Sequence, residues 1–164
     1  MENLEIIREK ILHPDELERA LMRWHLKGRK IVFTNGCFDL LHLGHVDYLS
    51  KAKDLGDILI VGVNTDKSVK MLGKGDNRPI TDENSRAMIM ASLHFVDAVV
   101  LFHEETPYNL IKTVQPDVLV KGSDYRVEDV VGYDIVKSKG GEVVSIDLLP
   151  GYSTTSIEQK IKRG

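Results

Sequence analysis

Residues Lys30 to His45 read KIVFTNGCFDLLHLGH, and this stretch decides the fold. Lys30–Thr34 is the short apolar, β-branched run that a buried strand needs. Asn35-Gly36 interrupts it with turn chemistry. A helix is expected from His45 to Leu55, with Val46, Leu49, Ala52 and Leu55 on one side and Gly56 as its stop. The same strand-then-helix order continues downstream. Strands are expected at Asp57–Val63, Asp97–Phe102, Asp117–Lys121 and Glu142–Leu148. Helices are expected at Asp82–Leu93, Pro107–Val114, Val127–Ser138 and from about Thr155 to the end, and Lys67–Arg78 reads as a polar loop with at most a short helix. Strands that are apolar throughout, separated by helices, imply an α/β fold: a doubly wound, five-stranded parallel sheet covered on both faces. Upstream, Glu2–Leu12 and Asp15–Leu26 have helical spacing, so 1–28 is expected as an N-terminal helical appendage and 29–164 as the main unit of one globular domain.

Composition narrows the function classes. Lys plus Arg number 22 against 25 for Asp plus Glu, a net charge of −3, which argues against a nucleic-acid partner. No apolar run approaches the ~18 residues of a membrane span, so no membrane partner is expected. The single cysteine, Cys37, excludes an internal disulfide framework and a Cys-cluster zinc site, and a cytoplasmic setting is expected. In packing terms Cys37 is a small apolar residue beside the loop rather than a nucleophile.

The chemistry gathers where the first strand ends. The loop is neither GxGxxG nor GxxxxGK[ST]. It offers His42 and His45, three apart, with Gly44 between them at a helix N-terminus. That spacing sets both imidazoles on one face, and the free N–H groups and dipole of a helix start favour an anion. Gly44 lets a phosphate approach the backbone. In parallel sheets of this kind ligands bind beyond the carboxyl ends of the strands, where the winding reverses. An HxxH pair also suits a metal, but zinc needs a third ligand, and neither His94 nor His103 is spaced to supply one; no metal ligand is assigned. Between Thr65 and Pro79, Lys67, Lys70, Lys74 and Arg78 outnumber Asp66 and Asp76, a basic loop suited to a polyphosphate. Asp39 and Asp66 stand near strand ends, where each could orient a histidine or a metal-bound water, or cap a turn.

The segment NGCFDLLHLGH resembles the signature of the cytidylyltransferase-like nucleotidyltransferases, with their HxGH motif. The resemblance continues in order through Val63–Asp66, Asn84-Ser85-Arg86, Val120–Tyr125 and Gly151–Ile157, covering about Lys30 to Ile161. Within that superfamily it is nearest to the adenylyltransferase domain of ADP-heptose synthases, through the loop wording, Ser68-Val69-Lys70, Arg78-Pro79, LVKGSDY (Leu119–Tyr125) and Gly140–Val143. It implies a Rossmann-like nucleotidyltransferase fold. It also implies transfer of the adenylyl group of ATP to a sugar 1-phosphate, D-glycero-β-D-manno-heptose 1-phosphate, in ADP-heptose and lipopolysaccharide core biosynthesis. In many bacteria that domain is fused to a sugar kinase; 164 residues are too few to hold one, so a separate kinase is expected, with a homodimer as the assembly. One departure bears on the base. Glycerol-3-phosphate cytidylyltransferases typically carry an arginine just before their Ser-Thr-Thr, where this chain has Leu148-Leu149-Pro150-Gly151-Tyr152. A cytidylyltransferase acting on glycerol 3-phosphate is the rival enzyme. A nucleotide-binding sensor is the rival without catalysis, and it should lack part of the HxGH or Ser-Thr-Thr set.

By this resemblance His42, His45, Lys70 and Arg86 are the expected catalytic phosphate ligands. Thr34, Asn35, Gly36, Phe38, Gly44, Asp66, Lys121, Gly122, Asp124, Ser153 and Thr154 are expected to bind or border ATP, with Mg²⁺ held mainly through ATP phosphates. Ser153 and Thr154 have a second reading beside phosphate binding, because Thr155 and Glu158 have capping-box spacing, so part of that motif would be structural.

Overall fold

Five strands form one parallel sheet: β1 (Ile31–Gly36), β2 (Ile58–Asn64), β3 (Ala98–Phe102), β4 (Val118–Gly122) and β5 (Glu142–Ile146), in the order β3-β2-β1-β4-β5. This computed structural model describes residues 2–163. Met1 and Gly164 lie outside the described residues, and with them the outer ends of the expected 1–28 and 29–164 segments and of a last helix running to the end.

Helices cover both faces, which is why the strands read as unbroken apolar runs. On one face Val32, Val61, Val63 and Val120 pack with α3 (Leu43–Lys53) through Leu49 and Ala52, and with α5 (Glu83–Ser92) through Ala87 and Met90. On the other, Ile31, Phe33, Ile60 and Leu119 pack with α2 (Pro14–Leu26), α6 (Tyr108–Val114) and α7 (Tyr133–Ser138) through Leu17, Leu21, Ile111 and Val136. Each of the Val, Leu, Ile, Phe and Met side chains among them, withdrawn from water, contributes about 1.5–3 kcal/mol.

The N-terminal segment touches the sheet. After α1 (Asn3–Arg8), the Leu12 N–H donates to the Val99 carbonyl at 2.9 Å and the Val99 N–H to the Lys10 carbonyl at 2.8 Å, so Ile11 pairs with the β3 edge. That occupies backbone groups an edge strand would otherwise expose.

Several boundaries differ from the sequence expectation. Helix α3 begins at Leu43, two residues before His45, because His42 takes the extended cap position. The loop after β2 contains a helix, α4 (Asp66–Met71), capped by the Thr65 hydroxyl, which accepts from the Ser68 N–H. The helix expected over Val127–Ser138 is a 3-10 turn at Val127–Asp129 and then α7, divided at Gly132 with φ +90°. Strand β5 ends at Ile146 rather than Leu148. The winding reverses between β1 and β4, whose ladder runs through Val32 opposite Val118 and Phe33 opposite Leu119. Beyond it a crevice opens between the carboxyl ends of the two strands.

Candidate active site

The crevice is a cavity of about 750 Å³. Its floor is the β1–α3 loop. His42 caps α3 in extended conformation, and its carbonyl accepts from the His45 N–H at 2.9 Å. The two imidazoles stack with centroids 3.8 Å apart and planes 21° from parallel. Phe38, in the left-handed region at φ +48°, sets its ring edge-on to His45 at 5.3 Å. A bulky residue tolerates that backbone only where its surroundings enforce it, as functional loops do. Gly44 is required by close approach: a Cβ there would lie 3.0 Å from His42 Nδ1 and 3.2 Å from Tyr152 Cβ.

The loop also has unmet hydrogen-bonding capacity. His42 Nδ1, His45 Nδ1 and Asn35 Oδ1 are buried without a partner. The first N–H groups of α3 have no intrahelical acceptor either. Burial, with the neighbouring His42 adding to it, pushes His45 down to about 4, and burial lowers His42 as well. Both rings are therefore neutral near pH 7. An anion hydrogen-bonded at the ring edges favours their protonation.

Asp39 fastens the wall above the loop. It is 4 % exposed, pairs with Arg78 at 3.0 Å, and accepts the Ile80 N–H at 2.8 Å and the Thr81 N–H at 3.0 Å. Burial pushes this carboxyl up, yet the Thr81 and Ile80 amides and the Arg78 guanidinium outweigh it and leave it below the usual range. Arg78 also pairs through Nε with Glu158 on α8 (Thr154–Arg163) at 3.0 Å, joining the loop to the last helix.

Across the crevice, Lys121 ends β4 with Nζ 5.8 Å over the Tyr125 ring. Burial lowers it to about 8, with Asp124 opposing the shift and Lys74 adding to it. Tyr48 faces the cavity from α3, its hydroxyl 2.8 Å from Thr34 Oγ1 and pushed up to about 12 mainly by burial.

The structure brings together His42, His45, Asn35, Gly36, Phe38, Gly44, Lys121, Gly122, Asp124, Ser153 and Thr154, all of which face the cavity. Four expected residues are not in it. Arg86 is fully buried beneath the floor. Its Nε donates to the Thr81 carbonyl, Nη1 to the carbonyls of Cys37 and Asn64 at 2.7 and 2.6 Å, and Nη2 to Asp66 at 2.7 Å. Those bonds tie the ends of β1 and β2 together and occupy both Arg86 and Asp66. Thr34 is fully buried and bonds Tyr48 and the Val120 carbonyl, crossing from β1 to β4. Lys70 is exposed on α4, away from the cavity. At the last helix, Ser153 accepts the Ser156 N–H at 3.0 Å, so the cap forms there, while Glu158 turns to Arg78. The cap falls on Ser153 because α8 starts two residues earlier than the Thr155–Glu158 spacing implies.

Other cavity residues were not singled out from the sequence, among them Tyr48, Asn64, Glu105 and Thr106. A signal existed for each: Tyr48 lies one helical step beyond His45, and the other three follow strand ends. Cys37 is half-buried and faces the cavity, with Lys74 Nζ 3.7 Å from its sulfur, rather than packing in the interior.

A sequence profile described as cytidylyltransferase-like matches residues 33–160, from inside β1 to α8, and so takes in the whole crevice. The chain belongs to the cytidylyltransferase-like family. Among curated relatives, it is 55% identical over 152 residues to the bifunctional protein HldE of Citrifermentans bemidjiense, covering 93% of this chain and 31% of the relative. HldE of Nitratiruptor sp. is 57% identical over 148 residues, 90% of this chain and 31% of the relative. The chain thus spans about a third of the length of these relatives. A solved structure described as the lipopolysaccharide core biosynthesis protein from Thermoplasma volcanium is 35% identical, with TM-score 0.65, covering 74% of this chain and 99% of that one. The pantoate-beta-alanine ligase of Francisella tularensis, at 18% identity and TM-score 0.63 over 93% of this chain and 76% of that one, shares the fold. As a member of the cytidylyltransferase-like family, the chain carries the HxGH loop at the β1–β4 switch point. Among the described residues no helix is long and apolar enough to cross a membrane, and no group of three His, Cys, Asp or Glu side chains is placed to hold a metal ion.

Proposed function

We propose that this protein transfers the adenylyl group of ATP to a sugar 1-phosphate, D-glycero-β-D-manno-heptose 1-phosphate, giving ADP-heptose and pyrophosphate. The observation that carries the reading is the stacked His42–His45 pair at the start of α3, each with an unpartnered Nδ1, facing a crevice at the point where the sheet reverses. The HldE relatives support the sugar, because the adenylyltransferase domain of such proteins makes ADP-heptose from heptose 1-phosphate.

The acceptor's phosphate oxygen attacks the α-phosphorus in line. The bond to the β-phosphate breaks, and its electron pair leaves with pyrophosphate. The acceptor is already an anion, so no protein nucleophile is needed, and catalysis is positioning plus electrostatics. His42 and His45 hold phosphate oxygens with the N–H groups opening α3, and Ser153 and Thr154 border the triphosphate from α8. Asn35, Gly36 and Phe38 shape the floor, and Lys121, Gly122 and Asp124 the β4 wall. Mg²⁺ belongs to this reading because it offsets phosphate charge when bound. The donors present suit a Mg²⁺ that arrives on phosphate oxygens and water, since Asp39 is already held by Arg78 and two amides. A sugar kinase as source of the acceptor, a homodimeric assembly and a cytoplasmic setting belong to the same proposal.

The test is pyrophosphate release from ATP and from CTP, each with heptose 1-phosphate and with glycerol 3-phosphate. The ATP–heptose pair is expected to be fastest. Preference for CTP with glycerol 3-phosphate would replace this reading with the cytidylyltransferase one. Nucleotide binding without release on any pair would replace it with a sensor.

A further inference from the structure

A nucleoside triphosphate carries several negative charges into the crevice, and transfer shifts more charge onto the departing pyrophosphate. Three lysine or arginine side chains line the cavity: Lys74, Arg78 and Lys121. Arg78 is already matched by Asp39 and Glu158, each at 3.0 Å. Arg86, the arginine the motif suggests, is committed to three carbonyls and Asp66 beneath the floor. Lys70 lies outside. The histidine pair is neutral before an anion arrives. Lys74 is exposed on the α4–α5 connection, between Gly73 and Gly75, both at positive φ, and touches only the Cys37 sulfur at 3.7 Å.

Lys121 differs from all of these. Its backbone belongs to the sheet, where it pairs with Ser145 of β5, so its position is fixed by the ladder rather than by a loop. It stands at the end of β4, across the switch-point crevice from the histidines. Its ammonium rests over the Tyr125 ring instead of on a carboxylate.

Resting on the adenylyl-transfer reading, we propose that Lys121 is the catalytic cation of the transfer: its ammonium contacts the oxygens joining the α- and β-phosphates and stabilises the charge that builds as that bond breaks. The acceptor oxygen bonds to the α-phosphorus, the bridging oxygen keeps the electron pair, and Lys121 keeps its proton throughout. A half-buried, pre-placed ammonium is worth most once substrate excludes water and no reorganisation is needed at the moment of reaction.

The groups facing Lys121 are Asp124 from its own turn, Lys74 from the connection after α4, Cys37 from the β1–α3 loop and the ring of Tyr125, with the Tyr48 hydroxyl beyond. Burial holds Lys121 at about 8 in the free protein, so its charge is present below that pH and lost above it. Because kcat/KM reports the free enzyme, kcat/KM for ATP should fall tenfold per pH unit above about 8. Arginine stays charged over this range.

The experiment measures pyrophosphate release from ATP and heptose 1-phosphate across pH 6–10 for the wild type, K121M and K121R, with thermal melts to confirm folding. Expected are a loss of about 10²–10³ in kcat for K121M and disappearance of the alkaline fall in K121R. Wild-type-like kcat in folded K121M, or an unchanged alkaline fall in K121R, overturns the assignment while leaving adenylyl transfer standing. A wild type that releases no pyrophosphate from any nucleotide and phosphate overturns the adenylyl-transfer reading, and the role of Lys121 with it.

Discussion

His42 and His45 lie close enough to stack, and two positive charges cannot sit comfortably at 3.8 Å. This gives the free protein a particular pH response. His45 has its folded pKa pushed down to about 4, below the ordinary value of 6.5, and His42 is lowered too. Between those values the unfolded chain binds more protons than the folded one, so stability falls as pH drops from about 6.5 toward 4. Melting temperature against pH should show that slope in the wild type and a shallower one in His45→Gln. Saturating pyrophosphate should flatten it in the wild type. An equal slope in both proteins would contradict the neutral pair. In turnover, His42→Ala or His45→Ala should each lower kcat by about 10²–10³; a folded variant with normal turnover would contradict their role. Arg86 behaves in the opposite way. Removing it leaves three carbonyls beneath the floor without their donor and half-exposed Asp66 without its partner, so Arg86→Ala should lose about 3–5 kcal/mol of unfolding free energy in urea titration. A change below 1 kcal/mol would return Arg86 to the cavity. The histidines were legible because HxGH is a local pattern. The duty of Arg86 was not, because its acceptors lie at Cys37, Asn64 and Thr81, on segments that only folding brings together.

The strands were legible as elements because both faces of the sheet are covered, leaving no polar alternation to confuse the reading. The helices were less so. The Val127–Ser138 pattern is broken by Gly132, whose missing side chain matters twice. Its φ is +90°, and a Cβ would come 2.7 Å from Ile111 Cδ1. Gly132→Ala should therefore cost about 1–3 kcal/mol, read as a lowered denaturation midpoint with an unchanged slope; an unchanged midpoint would show that the break has another cause. Helix α4, six residues long and capped by Thr65, fits the short helix that the polar 67–78 loop was expected to allow. The last helix was anticipated with its cap at the wrong residue, since Ser153 and Thr155 offer similar chemistry two positions apart.

At the scale of the molecule, a net charge of −3 coexists with a crevice lined by Lys74, Arg78 and Lys121. Neutral imidazoles, a helix start with no side-chain cap and a lysine borne on β4 line the crevice, while Asp39 and Asp66 are held by arginines. The order β3-β2-β1-β4-β5 places this site where the first and fourth strands part, and the connection between α1 and α2 covers the β3 edge through Ile11 and Val99. Covalent fate is the most direct check on the whole arrangement. With ATP and heptose 1-phosphate as substrates, phosphorus NMR of the products follows which phosphorus is attacked. A new sugar–adenosine diphosphate bridge containing the α-phosphorus of ATP is expected, with one pyrophosphate released per bridge formed. Release of ADP with a second phosphate on the sugar, or no bridge at all, would contradict it.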